Sequence, residues 1–336
     1  MKILVTGAAG FIGFHLVRRL LDDGIEVVGV DNLNSYYSVA LKQARLAMLP
    51  EAAFRRIDVA DRDMLEALFV AEGFSHVIHL AAQAGVRHSI THPYGYGTSN
   101  LVGFLNILEA CRHHDIQHLL YASSSSVYGR NDTLPFKESA RVDQPASLYA
   151  ATKRANELMA QSYADLYGLK CTGLRFFTVY GPWGRPDMAP WLFAERILRG
   201  EPIDIFNNGE MARDFTYIDD VIEAMVRLVT QCPEQQPPHR ILNIGRGKPM
   251  ALLDFITTLE QALGHEAYKN WLPMQQGDVE RTWADTSALE AVTGFVPKVS
   301  LAEGVTQFAK WFKAKGYADT PRPTWQQSTQ LTRQQG

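Results

Sequence analysis

The sequence has few cysteines, no long apolar run and no block of like charge. Its 336 residues include only three cysteines, Cys111, Cys171 and Cys232, which are too few and too scattered for a disulfide framework or a metal site. No apolar stretch approaches the ~20 residues that span a bilayer. Strand-forming residues begin at Lys2 and leave no room for a signal peptide, so we expect a cytoplasmic location.

Charge is nearly balanced along the chain. There are 33 basic and 36 acidic residues, for a net charge of −3. Because neither sign is concentrated in one block, we expect no nucleic-acid partner and no membrane partner. Hydrophobic residues make up 46% of the chain, which is enough for a large buried core. The composition therefore favours a globular enzyme.

Apolar strands alternate with amphipathic helices through the first half of the chain. Alternation of this kind predicts an α/β protein with a doubly wound parallel sheet and a smaller, interleaved C-terminal α/β domain. We expect residues 1–180 to form the main domain, with returning elements near 214–245. Residues 181–318 would form mainly the smaller domain, and 319–336 a flexible tail. Strands are predicted at 2–6, 26–31, 54–58, 76–81, 119–123, 171–177 and 241–244, and helices at 13–23, 64–72, 101–113, 149–167 and 219–230.

A glycine-rich turn follows the first predicted strand. Gly7, Gly10 and Gly13 are three residues apart and lead into a helix. Such a turn lets the backbone approach a pyrophosphate, whose charge then faces the helix N-terminus. Asp31 ends the second strand, where a carboxylate accepts hydrogen bonds from a ribose and repels a 2′-phosphate. The pattern predicts a bound dinucleotide, NAD rather than NADP.

Asp58 ends the third predicted strand, and two roles are open for it. From this edge of the sheet its side chain can reach the adenine of a dinucleotide. It can equally cap the helix that begins near Arg62. The sequence does not decide between the nucleotide role and the capping role.

A tyrosine and a lysine are spaced one helical turn apart. Tyr149 and Lys153 fall on the same face of the predicted helix. A free tyrosine has a pKa of about 10, but a fixed ammonium and an oxidised nicotinamide nearby favour the phenolate. We therefore expect Tyr149 to move protons near neutral pH, and Lys153 to reach ribose hydroxyls as well. A routine pair on a helix surface is the alternative.

Four consecutive serines follow the fifth predicted strand. Ser123–Ser126 lie at the carboxyl edge of the sheet, where ligands bind in folds of this class. A hydroxyl there can share the substrate proton with Tyr149, whereas the alternative is a polar loop that caps its own backbone. Four serines in succession before a Val-Tyr-Gly turn favour the functional role.

Together these residues resemble the extended short-chain dehydrogenase/reductases, and among them the nucleotide-sugar 4-epimerases. Three further runs, 31–37, 81–87 and 175–188, resemble the UDP-glucuronate 4-epimerases more closely. One departure is the pair Gly95 and Gly97, which we expect to loosen the turn that enters the following helix. The general resemblance rests on the glycine turn, Asp31-Asn32, Asp58, Ser123–Gly129, Tyr149/Lys153 and Arg213–Asp219.

The resemblance implies a Rossmann-type fold and an isomerase that interconverts UDP-glucuronate and UDP-galacturonate through a transient 4-keto sugar. NAD would stay tightly bound and be regenerated in each cycle. Tyr149 would exchange the proton of the sugar 4-hydroxyl, with Ser124 as its hydroxyl partner. A homodimer formed through helices 101–113 and 149–167 is also implied. The implied cofactor site comprises Gly7, Gly10, Phe11, Ile12, Gly13, Asp31, Asn32, Asp58, Val59, Leu80, Ala81, Ala82, Tyr149 and Lys153.

A substrate site is implied as well. Arg185 is the candidate for holding the sugar carboxylate, because a guanidinium binds a carboxylate through two parallel hydrogen bonds. A contact to the nucleotide, or a plain surface charge, is the alternative for this residue. The implied substrate residues are Ser125 and Ser126 in the sugar pocket, Thr178 as a further hydroxyl, Arg185, Arg213 at the diphosphate and Asp278 at the uridine ribose.

Related activities differ from this sequence at single positions. UDP-glucose/UDP-galactose 4-epimerases usually have Asn where this chain has Thr178. UDP-glucuronate decarboxylases tend to have a glutamate at the position of Ser126, and 4,6-dehydratases have an Asp-Glu pair at Ser125-Ser126. A non-enzymatic dinucleotide sensor often loses the tyrosine or the lysine. The sequence thus favours the uronate epimerase, with the neutral-sugar epimerase next and the decarboxylase third.

Overall fold

The structure of the chain is a computed structural model that describes residues 1–274 and 279–317. Its strands are β1 (Lys2–Thr6), β2 (Glu26–Asp31), β3 (Phe54–Arg56), β4 (His76–His79), β5 (His118–Ser124), β6 (Cys171–Phe176), β7 (Thr178–Tyr180), β8 (Ile203–Ile205), β9 (Ala212–Arg213), β10 (Phe215–Tyr217), β11 (His239–Ile244), β12 (Met250–Ala251), β13 (Lys269–Trp271) and β14 (Arg281–Thr282). Its helices are α1 (Phe11–Asp22), α2 (Val39–Leu46), α3 (Arg62–Glu72), α4 (His88–Thr91), α5 (Tyr94–Tyr96), α6 (Gly103–His113), α7 (Leu148–Tyr167), α8 (Ala189–Leu198), α9 (Ile218–Val229), α10 (Leu252–Leu263), α11 (Ser287–Thr293) and α12 (Leu301–Ala314). No helix in these two ranges is long and apolar enough to cross a membrane.

Seven parallel strands form the central sheet, in the order β11-β6-β5-β4-β1-β2-β3. The order in which strands are added reverses between β1 and β4: β1 to β3 follow one another toward one edge of the sheet, and β4 to β6 toward the other. Open sheets of this kind bind ligands beyond the carboxyl ends of the strands at that point. β11 adds to the edge of β6 after a long excursion, with Ile241 opposite Gly173. The predicted α/β class, with its doubly wound parallel sheet, is confirmed.

Both faces of the sheet are buried because alternate residues of each strand point to opposite sides. Ile3 and Val5 belong to the core that packs against α1 and α9 and continues into the C-terminal elements. Leu4 belongs to the opposite core, under α3 and α6. The strands therefore lack the polar face of a half-exposed sheet, as the sequence predicted from their continuous apolar runs.

Several predicted boundaries shift where backbone hydrogen bonds end. β3 stops at Arg56 and β4 stops at His79, each two residues before the predicted end. The helix predicted from Leu101 begins earlier, as a π-helical stretch at Gly97–Val102 that continues into α6. The tail at 319–336 lies outside the described residues.

Candidate active site

The glycine turn brings three backbone segments into close contact. Gly7 has φ +73°, and a Cβ on it would stand 2.8 Å from the Ala81 nitrogen. A Cβ on Gly13 would overlap the Gly7 carbonyl oxygen. Gly10 is the N-cap of α1 and has no side chain to cap the helix, so the backbone N–H groups of the first turn face outward. This arrangement fits the pyrophosphate of a dinucleotide.

Asp31 lies at the end of β2 and is oriented by the backbone. Its two carboxylate oxygens accept hydrogen bonds from the Ala9 nitrogen at 3.2 Å and the Leu33 nitrogen at 2.8 Å. A carboxylate has about four acceptor positions, so each oxygen retains capacity for another donor. The geometry is suited to a ribose diol next to the glycine turn.

Asp58 does not cap the helix that follows it. The N-cap of α3 is Asp61, whose side chain accepts from the Met64 nitrogen. Asp58 instead accepts from the Asn32 amide at 2.9 Å and from the Ala60 nitrogen at 2.9 Å. Asp61, and not Asp58, therefore has the capping role. Asn32 and Asp58 form a hydrogen-bonded polar pair at the carboxyl end of β2.

The turn after β4 is fixed by Thr6. The Thr6 hydroxyl oxygen accepts from the Leu80 nitrogen at 3.1 Å and the Ala81 nitrogen at 3.0 Å. It also lies 2.9 Å from Nδ1 of His79. Leu80, Ala81 and Ala82 remain partly exposed and border the glycine turn, where Gly7 approaches Ala81. Val59 is buried and packs against Gly103.

Lys153 is buried on the inner face of α7. Its ammonium donates to the Ala122 carbonyl at 2.9 Å, at the carboxyl end of β5. Burial lowers the pKa of Lys153 to about 8. α7 itself begins one residue before Tyr149, and Ser147 caps it through the Ala150 nitrogen. The Tyr149 and Lys153 side chains thus start from the first two turns of a capped helix.

The pKa of Tyr149 differs from the sequence expectation. Burial raises the pKa of its phenol, while the Ser124 hydroxyl and the charge of Arg185 lower it and the charge of Asp187 raises it again. Lys153, whose ammonium donates to the Ala122 carbonyl, is not among the groups that shift the pKa of Tyr149. In the protein alone, therefore, the expected phenolate is not favoured, because desolvation outweighs the nearby positive charge.

The serine run divides into residues that face opposite ways. Ser123 donates to Glu157 at 2.6 Å, about two turns after Tyr149 on α7. The Ser124 hydroxyl lowers the pKa of the Tyr149 phenol, accepts a hydrogen bond from the Ser126 nitrogen at 3.1 Å and lies 3.1 Å from the Ser126 hydroxyl. Ser125 and Ser126 begin a 3-10 turn and are partly exposed. The strand period of two explains why neighbouring serines separate.

Residues 3–245 match the model of a family described as the NAD dependent epimerase/dehydratase family. The chain belongs to this family. It is 48% identical over 330 residues to a probable UDP-glucuronate 4-epimerase of Rhizobium meliloti (strain 1021), which covers 93% of this chain and 97% of that protein. The predicted resemblance is confirmed.

Solved structures of this epimerase/dehydratase family have the same fold. The chain resembles a UDP-glucuronic acid 4-epimerase from Bacillus cereus in complex with UDP-glucuronic acid and NAD, with TM-score 0.87, 36% identity and coverage of 94% of this chain and 100% of that one. It also resembles a UDP-glucose 4-epimerase from Thermotoga maritima with UDP-glucose, with TM-score 0.85, 32% identity and coverage of 94% and 99%. Fold similarity therefore does not distinguish the two sugars.

Arg185 lies in the loop after β7 and is already paired. Its guanidinium donates to both carboxylate oxygens of Asp187, from Nε at 3.0 Å and from Nη2 at 2.5 Å. Asp187 also accepts from the Tyr36 hydroxyl at 2.9 Å. Arg185 is thus not a plain surface charge, and Asp187 and Tyr36 are site residues that the sequence analysis missed. The sequence signal that could have predicted this pair is the acidic residue two positions after Arg185.

Two of the remaining predicted substrate residues, Thr178 and Arg213, lie on short strands. Thr178 begins β7 and is partly exposed, with its nitrogen donating to the Asp214 carbonyl at 3.1 Å. Arg213 lies in β9, and its Nη1 donates to the Glu280 carbonyl at 2.9 Å. Asp278 lies outside the described residues.

Asn100 is a further buried residue that the sequence analysis missed. Its side chain accepts from the Gln83 nitrogen at 2.8 Å and donates to the Thr152 hydroxyl at 3.0 Å. Its carbonyl accepts from Asn156 at 2.7 Å. It lies in the π-helical stretch, which turns it toward α7. The expected loosening near Gly95 and Gly97 therefore takes the form of a wider helical turn that joins α7 to the turn after β4.

Proposed function

We propose that the protein is a UDP-glucuronate 4-epimerase, which interconverts UDP-glucuronate and UDP-galacturonate. The observation that carries the proposal is the Arg185–Asp187 pair, a cation fixed close enough to Tyr149 for both charges to act on the phenol. A fixed guanidinium beside the acid/base residue suits a substrate with a carboxylate next to the reacting carbon. The Rhizobium meliloti and Bacillus cereus relatives carry the same activity in their names.

NAD is the cofactor that fits the first half of the site. Gly7, Gly10 and Gly13 would admit its pyrophosphate, because a side chain at Gly7 or Gly13 would collide with the backbone. Asp31 and Asn32 would hold the adenosine ribose, and Asp58 would face the adenine side. When bound, NAD would supply the hydride acceptor and donor for C4 of the sugar. The cofactor contacts would be completed by Phe11, Ile12, Val59, Leu80, Ala81, Ala82, Tyr149 and Lys153.

Tyr149 would take the proton of the sugar 4-hydroxyl and give it back after the sugar has turned over. A positively charged nicotinamide ring beside the phenol would offset the desolvation that raises the pKa of Tyr149 in the protein alone. Ser124, whose hydroxyl acts on the Tyr149 phenol, would share the proton between sugar and phenol. Lys153 would keep a positive charge at the end of β5 and bind ribose hydroxyls.

A uronate substrate poses a hazard that a neutral sugar does not. Oxidation at C4 gives a keto group beside the carbon that bears the carboxylate, which is a β-keto acid. Its C5–C6 bond can break, releasing carbon dioxide and leaving the electron pair in an enolate that then takes a proton. The site must therefore hold the carboxylate in the plane of the carbonyl. Ser125, Ser126, Thr178 and Arg185 would do so, while Arg213 and Asp278 would bind the diphosphate and the uridine ribose.

A neutral UDP-sugar 4-epimerase is the second candidate. The similarity to the Thermotoga maritima UDP-glucose 4-epimerase supports it, because the two chains share the fold over nearly their whole length. Thr178 and the Arg185–Asp187 pair favour the uronate. A decarboxylase ranks third, because Ser126 has no carboxyl group.

The protein would act as a homodimer through α6 and α7. Leu105 on α6 is 41% exposed, and Leu158 and Leu166 on α7 are 54% and 66% exposed. Apolar side chains on two neighbouring helices are typical of a surface that pairs with a second copy. Size-exclusion chromatography with light scattering tests this proposal, and a monomer at micromolar concentration would contradict it.

The function is tested by incubating the purified protein with UDP-glucuronate and following the sugar anomeric protons by NMR. Appearance of UDP-galacturonate alone is the expected result. Formation of UDP-xylose or its 4-keto form would mean that the carboxylate is not protected. Conversion of UDP-glucose without conversion of UDP-glucuronate would establish the neutral-sugar epimerase instead.

A further inference from the structure

Three segments that are far apart in the chain meet beside Arg185. The loop after β2 contributes Tyr36, the turn after β4 contributes Gly85, and the loop after β7 contributes Arg185 and Asp187. They belong to the three sequence runs on which the closer resemblance to uronate epimerases rests. Because the three segments meet beside Arg185, we infer that they act together on the ligand that Arg185 binds.

Asp187 occupies one edge of the Arg185 guanidinium. Its carboxylate accepts hydrogen bonds from Nε and Nη2 of Arg185, so these donors on one edge of the guanidinium are already used. The edge formed by Nη1 and the second Nη2 hydrogen is the one that remains for another carboxylate. The two side chains are only 24% and 19% exposed, which limits screening of the pair by water. The direction in which Arg185 can receive a ligand is therefore set by Asp187.

Tyr36 in turn fixes Asp187. Its hydroxyl donates to the carboxylate oxygen that also receives Nη2. Gly85 has φ +100°, and a Cβ there would overlap the Tyr36 hydroxyl oxygen. The Tyr36 ring also lies 4.7 Å from the His88 ring. Only a glycine at 85 leaves room for the phenol to reach Asp187.

The electrostatics agree with this geometry. Burial alone would raise the pKa of Asp187, but Arg185 and the Tyr36 hydroxyl hold it below its ordinary value, so the carboxylate is charged. Arg185 therefore presents a guanidinium that is partly neutralised. This partial neutralisation weakens the attraction for a substrate carboxylate, but the fixed direction of the paired guanidinium outweighs it, because the free edge of Arg185 receives a carboxylate without first losing side-chain freedom.

We propose that Asp187, held by Tyr36, is a positioning residue that determines specificity for UDP-uronates by aiming the free edge of Arg185 at the substrate carboxylate. The inference deepens the proposed function and rests on it. Without Asp187 the guanidinium would lose its fixed direction. The carboxylate would then be bound more weakly, and it would reach the orientation from which carbon dioxide is lost.

The test is to replace Asp187 by Asn in the NAD-loaded protein and to measure the Kd of UDP-glucuronate and of UDP-glucose by calorimetry. We expect the Kd of UDP-glucuronate to rise roughly tenfold or more, which corresponds to the loss of a charged hydrogen bond, and that of UDP-glucose to change less than about threefold. We also expect the share of UDP-4-keto-pentose and UDP-xylose among the NMR products to increase. Asp143→Asn is the matched control, because Asp143 pairs with Arg141 at the same two-residue spacing on the exposed surface.

A second variant guards against misfolding of the first. Tyr36→Phe keeps the Arg185–Asp187 pair and should change the same two quantities in the same direction, by a smaller factor. Equal losses of affinity for both sugars, or tighter binding of UDP-glucuronate with unchanged products, would overturn the inference. If the unaltered protein does not convert UDP-glucuronate at all, the proposed function itself fails, which is a separate result.

Discussion

Glu157 holds Arg175 through both of its carboxylate oxygens, at 2.8 and 2.9 Å, in the interior of the protein. The two side chains are 1% and 2% exposed. Glu157 lies one helical turn after Lys153 on α7, and Arg175 lies on β6. Ser123 donates to the same carboxylate from β5. The pair therefore fixes the helix that carries Tyr149 against two strands of the sheet.

Glu157→Gln should lower the free energy of unfolding by about 3–5 kcal/mol, because it leaves the Arg175 charge buried without its counter-ion. Urea unfolding at pH 7 measures this. Glu223→Gln is the matched control: Glu223 pairs with Arg19 and Arg227 near the surface, so its loss should cost less than about 1 kcal/mol. Similar losses for the two variants would contradict the buried role of Glu157.

The same residue predicts a dependence on acid. Burial alone would raise the pKa of Glu157, but Arg175 and Ser123 hold it below its ordinary value. The folded form thus binds the proton less readily than the unfolded form, and the contribution is present above the ordinary glutamate pKa. It is lost as the pH falls below that value. The Gln variant should therefore be less sensitive than the unaltered protein to a fall in pH below ~4.

A second loss of stability should begin at milder pH. His118 is fully buried between the Val229 carbonyl at 3.0 Å and the Thr172 hydroxyl at 2.8 Å, and burial lowers its pKa to about 4. Because an unfolded histidine takes a proton near pH 6.5, stability should fall by about 2 kcal/mol from pH 7 to pH 5 on account of this residue. Urea unfolding at both pH values should show a smaller fall for His118→Gln. An equal fall in both proteins would contradict the prediction.

Tyr149→Phe should retain NAD and lose turnover by about two to four orders of magnitude, the usual contribution of a positioned acid/base. NMR of the sugar products gives the rate, and absorbance of the cofactor released on denaturation gives the NAD content. Tyr163→Phe is the matched control, since Tyr163 lies on the same helix and its hydroxyl bonds to Glu109 away from the site. Near-normal turnover by Tyr149→Phe would remove it from the proposed mechanism.

Gly13→Ala should abolish NAD retention, because its Cβ would overlap the Gly7 carbonyl oxygen and open the glycine turn. The cofactor content of the purified variant measures this. Gly97→Ala provides the comparison, as no atom lies within 4 Å of a Cβ at that position. Full cofactor content in Gly13→Ala would show that the turn can relax around a methyl group.

The elements that were predictable from sequence are those that local pattern specifies. The glycine turn between β1 and α1 and the Tyr149/Lys153 spacing are contained in short windows of residues, and the apolar runs of the sheet strands show their burial directly. The Arg185–Asp187–Tyr36 contact was not predictable, because Tyr36 and Asp187 are separated by 151 residues. The π-helical turn at Asn100 was also missed, since its extra residue breaks the helical period on which the prediction relied.

The position of β11 at the edge of the sheet constrains how the chain is made. β6 is fully buried in the finished sheet, where residues 239–244 pair with its outer edge, and the ribosome delivers these residues after the whole segment from 181 to 238. Until then the nascent sheet ends in an open apolar strand, which is a template for pairing with another chain. A fragment that stops at the proposed domain boundary near 180 would carry the same open edge. During synthesis the protein thus depends on its last sheet strand for protection against aggregation, and truncation at that boundary is expected to give insoluble material.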